Sequence, residues 1–149
     1  MILKDSLVIE APVETVWSFL LDIPRVSACM PGAEAVEEVE PDVYQGKLTA
    51  RVGVVKAAFK GRATVEERVE PELISASFKA EDRALASIVT GTFIARLTAI
   101  EAGTQIDYEM NLTMRGRLAT MGFTVMQQTA KKMTAEFANC LANELSSNK

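Results

Sequence analysis

Histidine is absent from this sequence of 149 residues. With it go the usual general base near neutral pH, the commonest zinc ligand, and every Ser–His or Cys–His nucleophile pair. Carboxylates, lysines and tyrosines remain, but no pair stands at a spacing that demands chemistry, so no catalytic residue, metal site or cofactor is assigned. Glu37, Glu38 and Glu40 read as a solvated strand edge, and Gly91 and Gly116 stand alone instead of in a phosphate-binding loop. No run approaches the roughly 20 apolar residues that cross a bilayer. The start, Met1 to Asp5, lacks the basic segment and apolar stretch of a secretion signal, which makes the cytoplasm the expected location. Cysteine is scarce: Cys29 and Cys140 permit at most one bridge, and their distant, apolar settings suggest reduced core thiols. A net charge of −4 disfavours general nucleic-acid binding, which requires a concentrated positive surface.

What is present is enough for one well-packed domain over residues 1–149. A chain of this size buries roughly 70% of its unfolded surface, and 48% apolar against 24% charged residues is a globular balance. Ile2 to Ile9 reads as a strand, with Leu3, Leu7 and Ile9 on one face and Lys4 and Ser6 on the other. Pro12 suits a first helical turn, and Val13, Val16, Trp17, Leu20 and Leu21 then follow at helical spacing. Asp22 and Pro24 start a second, shorter helix through about Cys29, which Met30, Pro31 and Gly32 must end, because the residue before proline avoids helical geometry.

From Ala35 to Arg115 the period changes to two, as for strands wet on one face. Tyr44, Leu48, Ala50 and Val52 alternate with polar neighbours, as do Ala57, Phe59, Ala63 and Val65, with a turn at Gly53 to Val55. Ile74, Ala76 and Phe78 share a face, as do Gly91, Phe93, Ala95 and Leu97, and then Ile106, Tyr108, Met110, Leu112 and Met114. Turn residues between these runs imply an antiparallel meander. Arg117 to Leu145 contains no proline and only Gly122 as glycine, so one continuous helix is expected there. The class is α+β: a curved antiparallel sheet of about seven strands wrapped around a long C-terminal helix, with two short helices after the first strand. An amphipathic helix and a half-buried sheet cover both apolar surfaces only if the helix lies across the concave face.

The inward faces carry small residues. Ala50, Ala57, Gly61, Ala63, Ala76, Gly91 and Ala95 stand where a filled core would use larger aliphatic chains. Either a hollow remains for a small apolar ligand, or the helix approaches closely there. The candidate lining on the sheet is Leu48, Ala50, Phe59, Ala63, Phe78, Phe93, Ala95, Tyr108 and Met110. Trp17 comes from the first helix, and Met121, Val125, Met126, Thr129 and Met133 from the last. Flexible thioethers adapt to ligands of variable shape or simply fill gaps, while Tyr108 and Thr129 could each orient one ligand oxygen. Met30 and Pro31 are placed at the expected mouth as a gate.

A separate feature is charge. Between Asp42 and Glu66 there is no acid, and Lys47, Arg51, Lys56, Lys60 and Arg62 alternate with the apolar set. That outward face would suit anionic headgroups or an acidic partner, or be merely solvated.

Certain local sequences are also similar to a known family. Ala11 to Trp17 (APVETVW), the turn Cys29-Met30-Pro31-Gly32, the hairpin from Val52 (VGVVKA) through Phe59, Lys60 and Gly61, and Gly116 to Ala119 together resemble the G-subunit family of carbon monoxide dehydrogenase, over nearly the whole chain. That family belongs to the START-related, pollen-allergen-like helix-grip superfamily. The resemblance implies seven strands gripping the last helix, a cavity, and an accessory role beside a molybdenum hydroxylase, with a quinone-like lipid as cargo and peripheral contact with the inner membrane face. Longer members continue into a membrane-holding tail; this sequence runs only to Ser147, Asn148 and Lys149, so no such anchor is expected. Two competing readings stand beside the carrier. One is a packed interaction factor docking through the basic hairpin; the other is a cyclase- or hydrolase-type enzyme, which would require one of Arg96, Asp107, Glu109 or Arg115 to turn inward.

Overall fold

Pro12 has an extended backbone and stands just before helix α1 (Val13–Leu21). The Asp22 carboxylate caps helix α2 (Ile23–Cys29), accepting from the Arg25 amide at 3.4 Å. The computed structural model describes residues 1–146, and the tail residues Ser147, Asn148 and Lys149 lie outside the described residues. Around these helices run β1 (Ile2–Ile9), β2 (Ala33–Glu40), β3 (Val43–Val52), β4 (Val55–Val69), β5 (Leu73–Asp82), β6 (Ser87–Ile100) and β7 (Gly103–Arg115). They form one seven-stranded antiparallel sheet in the order β1-β7-β6-β5-β4-β3-β2, so the first strand closes onto the last and the rest is a meander.

Three sequence expectations need correction. The C-terminal helix is not continuous from Arg117: a single 3-10 turn covers Arg117–Thr120, Gly122 takes a left-handed φ of +86°, and helix α3 runs Phe123–Ser146. On α1 the inward stripe includes Phe19, 1% exposed, while Leu21 is 39% exposed, because the short helix rotates its buried face toward β6 and β7. Cys29 and Cys140 are not reduced thiols but a disulfide, their Cα atoms 5.4 Å apart. A separation of 111 residues along the chain said nothing about distance once α2 and α3 pack together.

Buried side chains gather at both ends of the sheet and in a third cluster, Leu3, Val89 and Leu112, against which Phe59, Phe78, Met110 and Met114 pack. At one end Ile9, Val16, Trp17, Phe19, Leu97, Ile106, Leu141 and Leu145 form a sealed core of β1, α1, β6, β7 and the last turns of α3. Losing a side chain such as Phe19 from such a core costs about 3–5 kcal/mol. At the other end Val52, Ala57 and Leu118 are buried together. The backbone of α3 comes close to β1 and β3, on opposite sides of the sheet, and so spans the central strands like a bridge.

Candidate functional site

Strand parity fixes what faces the space beneath that bridge. On β3 to β7, Leu48, Ala50, Phe59, Ala63, Ala76, Phe78, Phe93, Tyr108 and Met110 point toward α3, and all are half-buried, neither sealed nor free. From above, Met121, Val125, Met126, Thr129 and Met133 are half-buried too. Several of them pack against buried clusters, Phe93 and Tyr108 against the Ile9 to Leu145 core, Phe78 and Met110 against Leu3 and Leu112, and Met121, Val125 and Met126 against Leu118, whereas Leu48, Ala50, Ala63, Ala76, Thr129 and Met133 belong to none of them. Met30 and Pro31, also half-buried, end α2 where the following Gly32 carbonyl accepts from the Thr49 amide at 3.0 Å, beside Ala50 on β3.

Not every small residue makes room for a guest. Ala57 is 0% exposed and packs under Leu118, and Ala95 is 5% exposed within the sealed end. Gly91 makes space for the Phe78 ring, whose Cζ would lie 2.9 Å from a Cβ placed there. Close approach therefore explains those three, whereas Ala50, Ala63 and Ala76 line the accessible middle. Trp17 is likewise 2% exposed within the sealed end, where its indole N–H is buried without a hydrogen-bond partner among the described residues.

One polar chain joins the sheet to α3. The Tyr108 ring stacks on Phe93 with centroids 5.8 Å apart, and its hydroxyl lies 2.6 Å from Thr134 Oγ1 on α3. Thr134 in turn donates to the Ala130 carbonyl at 2.8 Å. Since a threonine hydroxyl has a single proton, Tyr108 must be the donor to Thr134, and the lone pairs of the tyrosine oxygen remain to accept. Burial above all, assisted by the negative charge of Asp5, lifts the Tyr108 hydroxyl above its ordinary range despite the opposing Thr134 bond, so it stays protonated. Thr129 uses its own proton on the Val125 carbonyl at 3.0 Å.

The sequence reading overlooked two members of this group. Asp5 sits opposite Tyr108 on the inward face of edge strand β1, as the alternation Leu3, Asp5, Leu7 already implied. Thr134 lies on the α3 stripe Ala130, Thr134, Phe137, Leu141, a spacing visible in the sequence but masked by its polar type. Arg96, Asp107, Glu109 and Arg115 have the outward parity, opposite to Leu97, Ile106 and Leu112. Among the described residues no group of three metal-binding side chains gathers. No described helix is long and apolar enough to cross a membrane.

Two open grooves are lined mainly by outward-parity residues of the sheet, with Phe78 and Ala80 also bordering the first and Asp5 and Tyr108 the second. The larger, about 720 Å³, runs over β3, β4 and β5 and is lined by Lys47, Lys60, Arg62 and Lys79 with Glu37 and Glu81 at its rim. The smaller, about 430 Å³, involves Lys4, Asp5, Arg96, Asp107 and Tyr108. The register sets Lys47 opposite Lys60, Arg62 opposite Lys79 and Arg51 opposite Lys56, three like-charge pairs that each weaken the sheet locally. Lys79 was not among the sequence candidates, and Arg51 and Lys56 stand apart from the groove at the end of their hairpin.

Comparison with known proteins follows the same outline. A family model described as the carbon monoxide dehydrogenase G subunit, CoxG, matches residues 6–146. No curated protein matches the chain. Among solved structures, a conserved protein from Geobacillus kaustophilus superposes with a TM-score of 0.90 at 23% identity, covering 99% of this chain and 96% of its own. A Mycobacterium smegmatis protein gives 0.72 at 16% identity, with coverage of 99% and 92%. A Streptomyces aromatase/cyclase gives 0.64 at 17% identity, with coverage of 97% and 92%. At these identities the structures establish a shared helix-grip fold.

Proposed function

This chain belongs to the CoxG family of carbon monoxide dehydrogenase, and we propose that it is a non-catalytic binding domain that holds a small apolar ligand between sheet and α3. The observation that carries this reading is the set of half-buried inward residues Ala50, Ala63, Ala76 and Met133, small or flexible side chains that belong to none of the three buried clusters. Half-covered apolar surface of this kind suits a guest that covers it for part of the working cycle. The family supports a partner that is a molybdenum hydroxylase of the carbon monoxide dehydrogenase type, for which a quinone-like lipid is a fitting cargo.

The polar chain refines the ligand. Because Tyr108 donates to Thr134, its oxygen presents acceptor capacity to the cleft, which suits a ligand hydroxyl better than a ligand carbonyl. A reduced quinol should therefore bind more tightly than its oxidised quinone. Native mass spectrometry of gently purified protein, followed by lipid extraction, should find an apolar species. Titration with a soluble quinol and its quinone should then rank the two. Protein that is empty and rejects both would sink the carrier reading.

A second reading is favoured by two like-charge pairs in the larger groove, Lys47 with Lys60 and Arg62 with Lys79. Sheet stability is given up there, and an acidic partner surface over Lys47, Lys60, Arg62 and Lys79 would recover it. Charge reversal at Arg62 and Lys79 should abolish capture of the partner enzyme; unchanged capture removes that face from consideration.

A further inference from the structure

The one disulfide of the fold joins two helices that are far apart in the chain. Cys29 is the last residue of α2 and Cys140 stands toward the end of α3, 111 positions later. Beyond Cys29 the chain turns at once. Met30 closes α2, its amide donating to the Val26 and Ser27 carbonyls at 3.1 and 3.2 Å, and Pro31 and Gly32 lead into β2. Gly32 is pinned to β3: it takes a left-handed φ of +78°, its carbonyl accepts from the Thr49 amide at 3.0 Å, and a Cβ placed on it would collide with the Thr49 carbonyl oxygen. The neighbours of Thr49 on β3 are Leu48 and Ala50, both among the inward residues outside the buried clusters. Three residues thus separate the bridge from the strand that carries them.

Together the disulfide and the Gly32–Thr49 contact make a frame that runs from α3 through the end of α2 to β3, with half-buried Met30 and Pro31 inside it. Apart from the disulfide, little holds α2 to α3. The Arg25 guanidinium meets Glu144 at 3.7 Å with both side chains well exposed, an arrangement that water and salt weaken. Arg25 is also shared with α1, where it lies 4.7 Å from the centre of the Phe19 ring. Val26 adds an apolar edge against the core of Ile9 and Leu141. A short helix with so few ties opens locally at small cost, so the bridge decides whether α2 stays on α3. Cys140 also shares a helical face with Phe137 and Met133, three and seven residues earlier, so whatever fixes Cys140 fixes the stretch of α3 that carries Met133.

We propose that the Cys29–Cys140 disulfide is a redox latch: intact, it keeps Met30 and Pro31 closed over an apolar guest held beneath α3, and reduced, it lets α2 move off α3 and the guest leave. The latch rests on the carrier reading above. Cys29 is 4% exposed and Cys140 half-buried, so an incoming thiolate meets Cys140 before Cys29. Its attack breaks the bridge, forms a mixed disulfide with Cys140 and expels Cys29 as a thiolate, which takes up a proton. The second thiol of a dithiol reductant then attacks the reductant's own sulfur in that mixed disulfide and releases Cys140 as a thiol. Two electrons and two protons pass from the dithiol to the protein, and the reductant leaves as its disulfide. The chain has no third cysteine, so no internal thiol opens the bridge in place of the reductant. By linkage, the factor by which reduction weakens the guest is also the factor by which the guest favours the intact bridge.

The test is titration of the full chain with a soluble quinol, which dithiothreitol leaves unchanged, before and after reduction of the bridge. Alkylation and mass spectrometry confirm that both cysteines are free in the reduced sample. Reduction should weaken quinol binding by a factor usual for coupled sites, about 5- to 150-fold. Hydrogen exchange of the ligand-free chain should rise over residues 26–32 on reduction while β6 and β7 stay protected, which also shows that the reduced chain is folded. In a dithiothreitol titration, quinol should shift the bridge toward the disulfide by the same factor. Arg25→Ala, which removes the remaining polar tie, should weaken binding further in the reduced chain and leave the oxidised chain as it was. Equal quinol affinity in the two redox states, or unchanged exchange over residues 26–32, overturns the latch and leaves the carrier reading standing. Loss of protection throughout the reduced chain overturns it too, since the bridge would then hold the whole fold. A chain that binds quinol in neither state removes carrier and latch together.

Discussion

Lengthening one alanine at a time separates cleft from core. Ala63 is inward and half-buried on β4, between Tyr44 and Phe78 on the neighbouring strands; Ala57, six residues earlier on the same face, is 0% exposed beneath Leu118. Alanine to leucine adds three carbons at either site. Full burial of the added carbons would contribute about 0.8 kcal/mol each, and the half-covered setting of Ala63 reduces the sum to about 1 kcal/mol of stabilisation. For a chain of this length that raises Tm by about 2–4 °C. At Ala57 the same atoms meet packed neighbours, and overpacking costs about 1–3 kcal/mol, so Tm should fall by a similar or larger step. Calorimetry on Ala63→Leu and Ala57→Leu reads the sign directly, and quinol titration of the first should show affinity reduced about tenfold or more as the leucine occupies the ligand's place. If both variants lose stability alike, no free volume exists at Ala63 and the middle of the fold is packed. If Ala63→Leu is stable yet binds as before, the ligand lies elsewhere.

Three further outcomes follow from the same geometry. Tyr108→Phe keeps the stacking on Phe93 but removes the acceptor, so it should bring quinol and quinone affinities together with a stability change of about 1 kcal/mol or less; a preserved preference would place the discriminating group elsewhere. Cys140→Ala, or a reductant, opens a covalent loop of 111 residues, for which chain entropy sets a ceiling of about 4–5 kcal/mol, and denaturant unfolding should show the loss; an unchanged midpoint would mean the bridge does not constrain the unfolded chain. Asp82 accepts two backbone amides, chiefly that of Ala58, which holds its carboxyl below the ordinary value of 3.8. Its contribution is thus complete above pH 3.8 and is lost as the pH falls through its lower folded value. Asp82→Asn should reduce stability at neutral pH and flatten the acid limb of the unfolding curve, and an acid limb of unchanged slope would contradict this.

Much of the architecture was legible because periodicity is a local property. Two-residue alternation along Tyr44 to Val52 and Val55 to Val65 fixed strands, inward faces and the Gly53 turn, and Pro24 with Pro31 bracketed α2. The break at Gly122 was less visible, since a lone glycine is tolerated inside helices and only the turn of Leu118 into the core forced the left-handed backbone. The same holds for the site. Tyr108 and the methionines could be placed on faces, but pairing Tyr108 with Thr134 needed the distance between a strand and a helix 26 residues apart.

By itself, then, the sequence determined which face each side chain takes, the absence of imidazole chemistry, and the order of elements, because these depend on spacing and residue type alone. Only the tertiary structure decided that Cys29 meets Cys140 and that Ala57 and Ala95 are packed while Ala63 is accessible. Those facts depend on how far apart two elements stand once a curved sheet has closed around a helix, and no one-dimensional pattern carries that distance.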